Sequence, residues 1–398
     1  MTAHHHRPRW RLGAATVVAV LGLSVGACSS PGSSHPSKGN GAAMTPTPLS
    51  TSIESAGASW ATLPMGNLDQ PLNTFWQLFE LPTGTTQWSN QVQATGVATN
   101  GGIVLASSPT GSLVAAVLPS NLLEYSPAAV TDDAGRSWST ALVYPGLVDH
   151  PGALAIGSDN AFALTAGGAG GEQLLESGAG LQGWHRLAAE RTLADSAAGQ
   201  ACGLVSLVAV ADVAGSAVVG GGCSSPGRVG VLTDATGNWQ LTGPPLAGPL
   251  AQRPAEVLGL WPGSDRLGAL VAVSAGNGRG AELVAASSAG GGKWTVSPAL
   301  ATSTGAELLS FGPTASGGVF VLLGGSHGDL LETNDGPGTQ WDVLPAPPAG
   351  TDAVAFPTGG VPFAMAGHDT VLKVWSLEGT GWSLSQTIDV PIQFGSSS

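Results

Sequence analysis

The chain has 398 residues, with 13 Lys and Arg against 26 Asp and Glu, a net charge of −13 and 60 glycines. Lys38, Lys293 and Lys373 are its only lysines and stand far apart, so the clustered cations that displace counterions from nucleic acid are missing. Glycine costs a helix about 1 kcal/mol per site; this composition, without long amphipathic periods, predicts tightly turned β-structure.

Residues 1–27 read as an export signal, with Arg7, Arg9 and Arg11 as a basic head and Leu12 to Val25 as an apolar run. Such a run falls short of the roughly 20 residues that cross a bilayer, so a permanent transmembrane helix is disfavoured. His4 to His6 read as a polar part of the signal head and not as a metal site. Val25-Gly26-Ala27-Cys28 resembles the bacterial lipobox, which implies cleavage before Cys28 and a diacylglycerol on its thiol; a plain secretory signal is the alternative. The three arginines would leave with the signal and no acid would, so the exported part is more acidic still. Residues 28–52, rich in Ser, Pro, Gly and Thr, lack the apolar periodicity that buries a core and read as a disordered tether. The expected location is a cell membrane, lipid-anchored and facing the extracytoplasmic side.

Residues 53–398 form the expected folded body. Within it Cys202 and Cys223 are the only thiols, and the segment between them reads as a hairpin, Leu204 to Val210 against Ser216 to Gly220, turning near Asp212 to Gly215. An oxidising exterior permits a cross-hairpin disulfide worth about 3 kcal/mol; two buried free thiols are the alternative.

Seven of the twelve tryptophans recur at intervals of about the length of a four-stranded sheet: Trp88, Trp138, Trp184, Trp239, Trp294, Trp341 and Trp382. Most close a small-residue turn. The fullest copy is Thr131-Asp132-Asp133-Ala134-Gly135-Arg136-Ser137-Trp138. Ser287 to Trp294 keeps Ser287, Gly291 and Trp294 but has Ala289 for the acid, and Thr333 to Trp341 keeps Thr333, Asp335, Gly338 and Trp341 with one inserted residue. Thr233 to Trp239 is one residue short; Gly57 to Trp60 and Gly379 to Trp382 keep only the ending.

These turns resemble the Asp-box of sialidase-like β-propellers, Ser/Thr-x-Asp-x-Gly-x-x-Trp. Its chemistry is that of a turn: the Asp accepts backbone N–H bonds, the Gly tolerates positive φ, and the Trp ring is expected to fold under its own hairpin. The apolar runs Ser112 to Leu118, Leu267 to Val273 and Gly318 to Leu323 suit inner strands buried on both faces. The resulting expectation is an all-β, seven-bladed β-propeller, with six or eight blades as alternatives. Strand material before Trp88 and after Trp382 is expected to combine into one blade that closes the ring.

A sialidase would need an Arg-Ile-Pro motif, which is missing, and an arginine triad on the substrate carboxylate, whereas the first arginine after the signal is Arg136, inside a turn. Tyr125 and Tyr144 are the only tyrosines and fall in one blade. Gly324 to Gly328 fits a nucleophile-elbow pattern, but a strand follows where a helix is required, so Ser326 and His327 read as a hairpin tip. Gly178 to Gly183 fits a dinucleotide fingerprint equally by accident. His150, His185, His327 and His368 are expected in separate blades, which argues against zinc, and Asp132-Asp133 reads as a solvated turn and not a calcium loop. No catalytic residue, metal or cofactor is assigned. The expectation is a monomeric, non-enzymatic module for a glycan, peptide or protein partner; the alternative is an exo-acting glycoside hydrolase or lyase whose two carboxylates converge at the ring centre beside an aromatic such as Trp76 or Trp261.

Overall fold

A computed structural model describes residues 49–390, apart from 56, 68–73, 92–100, 119–122, 168–170, 236, 264–265, 276–279, 290–292, 304–305, 315, 326–329 and 335–337. The signal, Cys28, nearly all of the tether, Gly291, Ser326, His327 and Asp335 lie outside the described residues. No helix of the described residues is long and apolar enough to cross a membrane.

Among the described residues, strands pair antiparallel with their neighbours in sequence, giving seven four-stranded meanders over residues 51–91, 103–143, 154–189, 204–241, 255–296, 307–343 and 353–389, here blades 1 to 7. The first strands of successive blades touch one another, and that of blade 7 returns to that of blade 1. Between blades 5 and 6 the contact is apolar, with Leu258 packed against Leu308 and Phe311 and Trp261 meeting Phe311 edge-on. The protein is an all-β propeller whose first strands surround the axis.

Second strands are the most apolar. Leu113–Val117, Arg266–Ser274 and Val319–Gly324, expected as inner strands, are each the second strand of their blade. The reason is geometric: a second strand has a sheet neighbour on both edges and another blade on both faces, so nearly every side chain is dry. Each fully buried Leu, Val or Phe there contributes about 1.5–3 kcal/mol.

The recurring tryptophans all stand at the start of a fourth strand, Trp88 just before Ser89–Gln91 and Trp382 within Gly381–Asp389. Trp60 does not belong to this series, since it sits in the second strand Ala58–Gly66. Several of the indoles also reach the blade before their own. Trp184 Nε1 donates to Leu142 O at 2.9 Å, Trp341 Nε1 to Pro298 O at 3.0 Å and Trp382 Nε1 to Pro345 O at 2.9 Å, each acceptor belonging to the preceding blade. Trp294 Nε1 donates likewise to Thr242 O, and Trp138 meets Trp60 of blade 1 edge-on at 5.9 Å. Each of these five rings is thus a staple to the blade before it.

The ring closes differently from the expectation. Blade 1 is built from N-terminal residues alone and blade 7 from C-terminal residues alone, so no sheet is shared between the two ends. Instead Leu63, Met65, Phe79 and Trp88 of blade 1 pack against Phe363, Met365, Leu372 and Val374 of blade 7. Trp88 and Phe363 meet edge-on at 5.8 Å, and the Gln386 amide both accepts from Trp88 N and donates to Trp88 O at 2.8 Å. At the centre Ser52 Oγ donates to Val354 O at 2.9 Å. The first strand begins at Thr51, and Ser50 already bridges to Ser310.

Candidate functional site

In a four-stranded meander the start of the first strand and the turn between strands two and three share one end, here the front face. The turns between strands one and two, and three and four, share the back. The Thr131–Trp138 turn is on the back: Thr131 Oγ1 accepts from Gly135 N at 2.9 Å, Asp133 Oδ1 accepts from Ser137 N at 2.9 Å, and Gly135 has φ 78°. These bonds hold the half-buried Asp133 carboxyl below its ordinary pKa, the Ser137 hydroxyl contributing most. Beside it, between blades 2 and 3, lies an open cavity of about 320 Å³ lined by Ser108, Thr110, Asp132, Ser139, Thr140 and Ser158 among others.

The front face carries a different chemistry. The connection into blade 3 is pinned by Val148 N to Leu164 O at 3.0 Å, His150 N to Val148 O at 2.9 Å and Val210 N to Gly152 O at 2.8 Å. Gly152 allows that approach, since a Cβ there would lie 2.7 Å from the Ala209 Cβ. His150 is thereby fixed at the start of the first strand of blade 3, where its Nε2 meets Glu172 Oε1 at 3.0 Å. Glu172 stands between strands two and three of the same blade, and its N–H donates to Glu190 Oε2 at 3.1 Å, on the first residue of helix α1, Glu190–Asp195. From blades 4 and 5, Ser206 Oγ donates to Glu256 Oε1 at 3.3 Å and accepts from Gly222 N at 3.0 Å.

These positions are braced together. The second strand of blade 4 pairs with the first of blade 5 through Gly222↔Glu256 and Cys223↔Ala255. A disulfide joins Cys223 to Cys202, at the end of helix α2, Ala197–Cys202, so the helical insert that carries Glu190 is tied to the strand beside Glu256.

Asp149 is exposed to solvent yet stands beside the body of blade 3, next to the buried His150. Loss of hydration there raises its pKa to about 7, against the opposing pull of His150. Burial alone would depress the His150 imidazole, but its hydrogen bond to Glu172 and the charges of Glu172, Asp149 and Glu256 together raise it. His150 Nδ1 and Glu172 Oε2 are buried without a hydrogen-bond partner among the described residues. The nearby Arg253 is engaged by Glu282 through two bonds of 2.9 Å. The mouth therefore gathers three carboxylates around one histidine.

The residues singled out from sequence are apart from this cluster, with Ser287, Trp294, Thr333, Gly338 and Trp341 on the back turns of blades 5 and 6. Trp76 is buried against blade 2 and Trp261 packs on Phe311 at the far end of its strand, so neither is a platform in the mouth. His150 and His185, expected in separate blades, share blade 3, but His185 is on its outermost strand beside Glu176. Among the described residues no group of His, Cys, Asp and Glu has the geometry to hold a metal ion.

The fold defines the class, a β-propeller. No protein-family model and no curated protein matches the sequence. Solved structures match in fold only. A putative 6-phosphogluconolactonase from Bacteroides uniformis aligns with a TM-score of 0.52 at 10% identity, over 84% of this chain and 97% of that one. The β-propeller domain of the trilobed protease from Pyrococcus furiosus aligns with a TM-score of 0.44 at 8% identity, over 87% and 97%. A prolyl endopeptidase aligns with a TM-score of 0.46 at 12% identity over 87% of this chain, which spans only 51% of that protein.

Proposed function

We propose that this chain is an exported, lipid-anchored β-propeller that binds a glycan, peptide or protein partner at the front face of blades 3 to 5. The observation that carries the reading is the meeting of Asp149, His150 and Glu172 of blade 3 with Glu256 of blade 5 at one mouth, where His150 Nδ1 and Glu172 Oε2 are buried without a hydrogen-bond partner among the described residues. Unpaired buried polar groups cost about 1–3 kcal/mol each, and a fold keeps such groups where a ligand completes them. The lipobox resemblance at Cys28 and the Ser/Pro-rich stretch to Ser52 support an anchor and a tether. The turn at Thr131 to Trp138, similar to an Asp-box, belongs in this reading to the scaffold.

Two measurements test it. Mass spectrometry of the native N-terminus should find an acylated Cys28; an uncut or unmodified terminus removes the anchor. A glycan and peptide array probed with the wild type and with Glu172→Gln should find a binder that the variant loses. A binder indifferent to that change would move the site elsewhere.

A further inference from the structure

The turn at Thr131 to Trp138 leaves one of its two acids unused. Thr131, Asp133, Gly135 and Ser137 close the turn among themselves, whereas the Asp132 carboxylate makes no hydrogen bond or ion pair with the described residues and lines the back cavity between blades 2 and 3. The side-chain hydroxyls of Ser112, Thr140 and Ser158 line the same cavity and are likewise without a partner among the described residues. The deeper lining is apolar, since Ala141 and Ile156 are buried and belong to the core shared by blades 2 and 3. None of the lining residues is Lys, Arg, His or aromatic. Short-range bonds hold the walls: Ser108 N donates to Ser112 O at 2.8 Å, Gly157 N to Asn160 O at 2.7 Å and Leu181 N to Gly178 O at 2.9 Å. The cavity is therefore shaped before a ligand arrives, and little has to be ordered when it fills.

We propose that this cavity binds a neutral pyranose unit of a glycan, at a second site on the face opposite the mouth. A pyranose has apolar C–H faces and a rim of hydroxyls, each of them both donor and acceptor. Ala141 and Ile156 suit the faces. The hydroxyls of Ser112, Thr140 and Ser158 suit the rim, and so does Asp132, because a carboxylate only accepts and can take O–H bonds from two adjacent hydroxyls.

Other chemistries fit less well. An anionic ligand would meet Asp132 with no lining cation to offset it, and a planar aromatic ligand would find no ring to stack on. A metal ion finds no suitable group of His, Cys, Asp and Glu among the described residues. At about 320 Å³ the cavity lies at the small end of ligand pockets, roughly 300–1,000 Å³. That favours a single sugar unit, and because the cavity is open the rest of a glycan can run on into solvent.

The test is saturation-transfer NMR and calorimetry on the full-length protein, with the methyl glycosides of glucose, galactose and mannose and, as the anionic counterpart, the methyl glycoside of glucuronic acid. At least one neutral glycoside should bind saturably, and the uronate about tenfold more weakly or worse, as like charges require. Asp132→Ala should weaken the neutral glycoside by about tenfold or more, the loss of a charge-assisted hydrogen bond, and Thr140→Val by about two- to tenfold, the loss of a neutral one. Asp342→Ala, the same change on the exposed outermost strand of blade 6, should leave binding as in the wild type. Asp132 and Thr140 are exposed and their side chains make no bonds within the described fold, so both variants should melt like the wild type; if one melts early, the other carries the readout. No saturable binding of any neutral glycoside, equal binding of the uronate, or a glycoside that survives both substitutions overturns the inference. A glycoside lost with Glu172→Gln but kept with Asp132→Ala belongs to the front face and overturns it equally, while the front-face reading then stands.

Discussion

The seam between blades 7 and 1 and the seam between blades 4 and 5 join neighbouring sheets by opposite means. At the first, the chain offers no direct connection, the sheets meet through a single backbone bridge, Gly66↔Asp369, and most of the contact is made of large rings and long aliphatics around Trp88 and Phe363. At the second, the chain runs straight on, two backbone pairs and a disulfide hold the sheets, and the strand facing blade 5 is Gly220-Gly221-Gly222. A Cβ on Gly220 would lie 2.6 Å from the Val257 Cγ1. Where covalent continuity is lacking, apolar burial replaces it. Where it exists, backbone pairs and the disulfide add to a core of small aliphatics such as Ala209, Val218, Val257 and Leu260, and polar side chains such as Ser206 and Glu256 are left for the mouth.

The largest effect should follow from breaking the apolar seam. Phe363→Ala removes a ring that is 2% exposed and should cost about 3–5 kcal/mol, a core-aromatic truncation, with a lowered Tm and early hydrogen exchange in blades 1 and 7; exchange spread evenly over all blades would deny the seam its special place. Replacing Cys202 and Cys223 by Ser should cost about 3 kcal/mol in denaturant melts, and should loosen α2 and the Glu190–Glu172 contact before the apolar seam. Gly220→Ala should cost about 1–3 kcal/mol through overpacking; a neutral result would show that blades 4 and 5 are not in close backbone contact.

The smallest effect concerns pH. The folded-state pKa of Asp149 is raised to about 7, so its contribution to stability is present at low pH and is lost as pH rises from about 4 towards 7. Asp149→Asn should therefore melt like the wild type at pH 5 and higher than it at pH 8; the same difference at both pH values would mean that the carboxyl is hydrated as in water.

Much of the architecture was legible because its signal is local. Seven tryptophans each open a fourth strand, and Thr131, Asp133 and Gly135 make their turn with residues at most four positions away. Where each indole goes was not legible: Trp341 Nε1 finds Pro298 O, 43 residues back, and no property of Trp341 announces that carbonyl. The site was less legible still. Asp149, His150, Glu172 and Glu256 each read singly as loop or strand-end charges, and His150 reads as a lone histidine.

By itself the sequence determined the strand period, the turns and the acidic balance, because hydrophobic alternation, glycine and short polar caps act over a few residues. The tertiary structure decided how the ring closes, which strands lie innermost and which charges meet at the mouth. Those depend on bringing together segments as far apart as residues 52 and 354, or 150 and 256, and only the packed core fixes such distances.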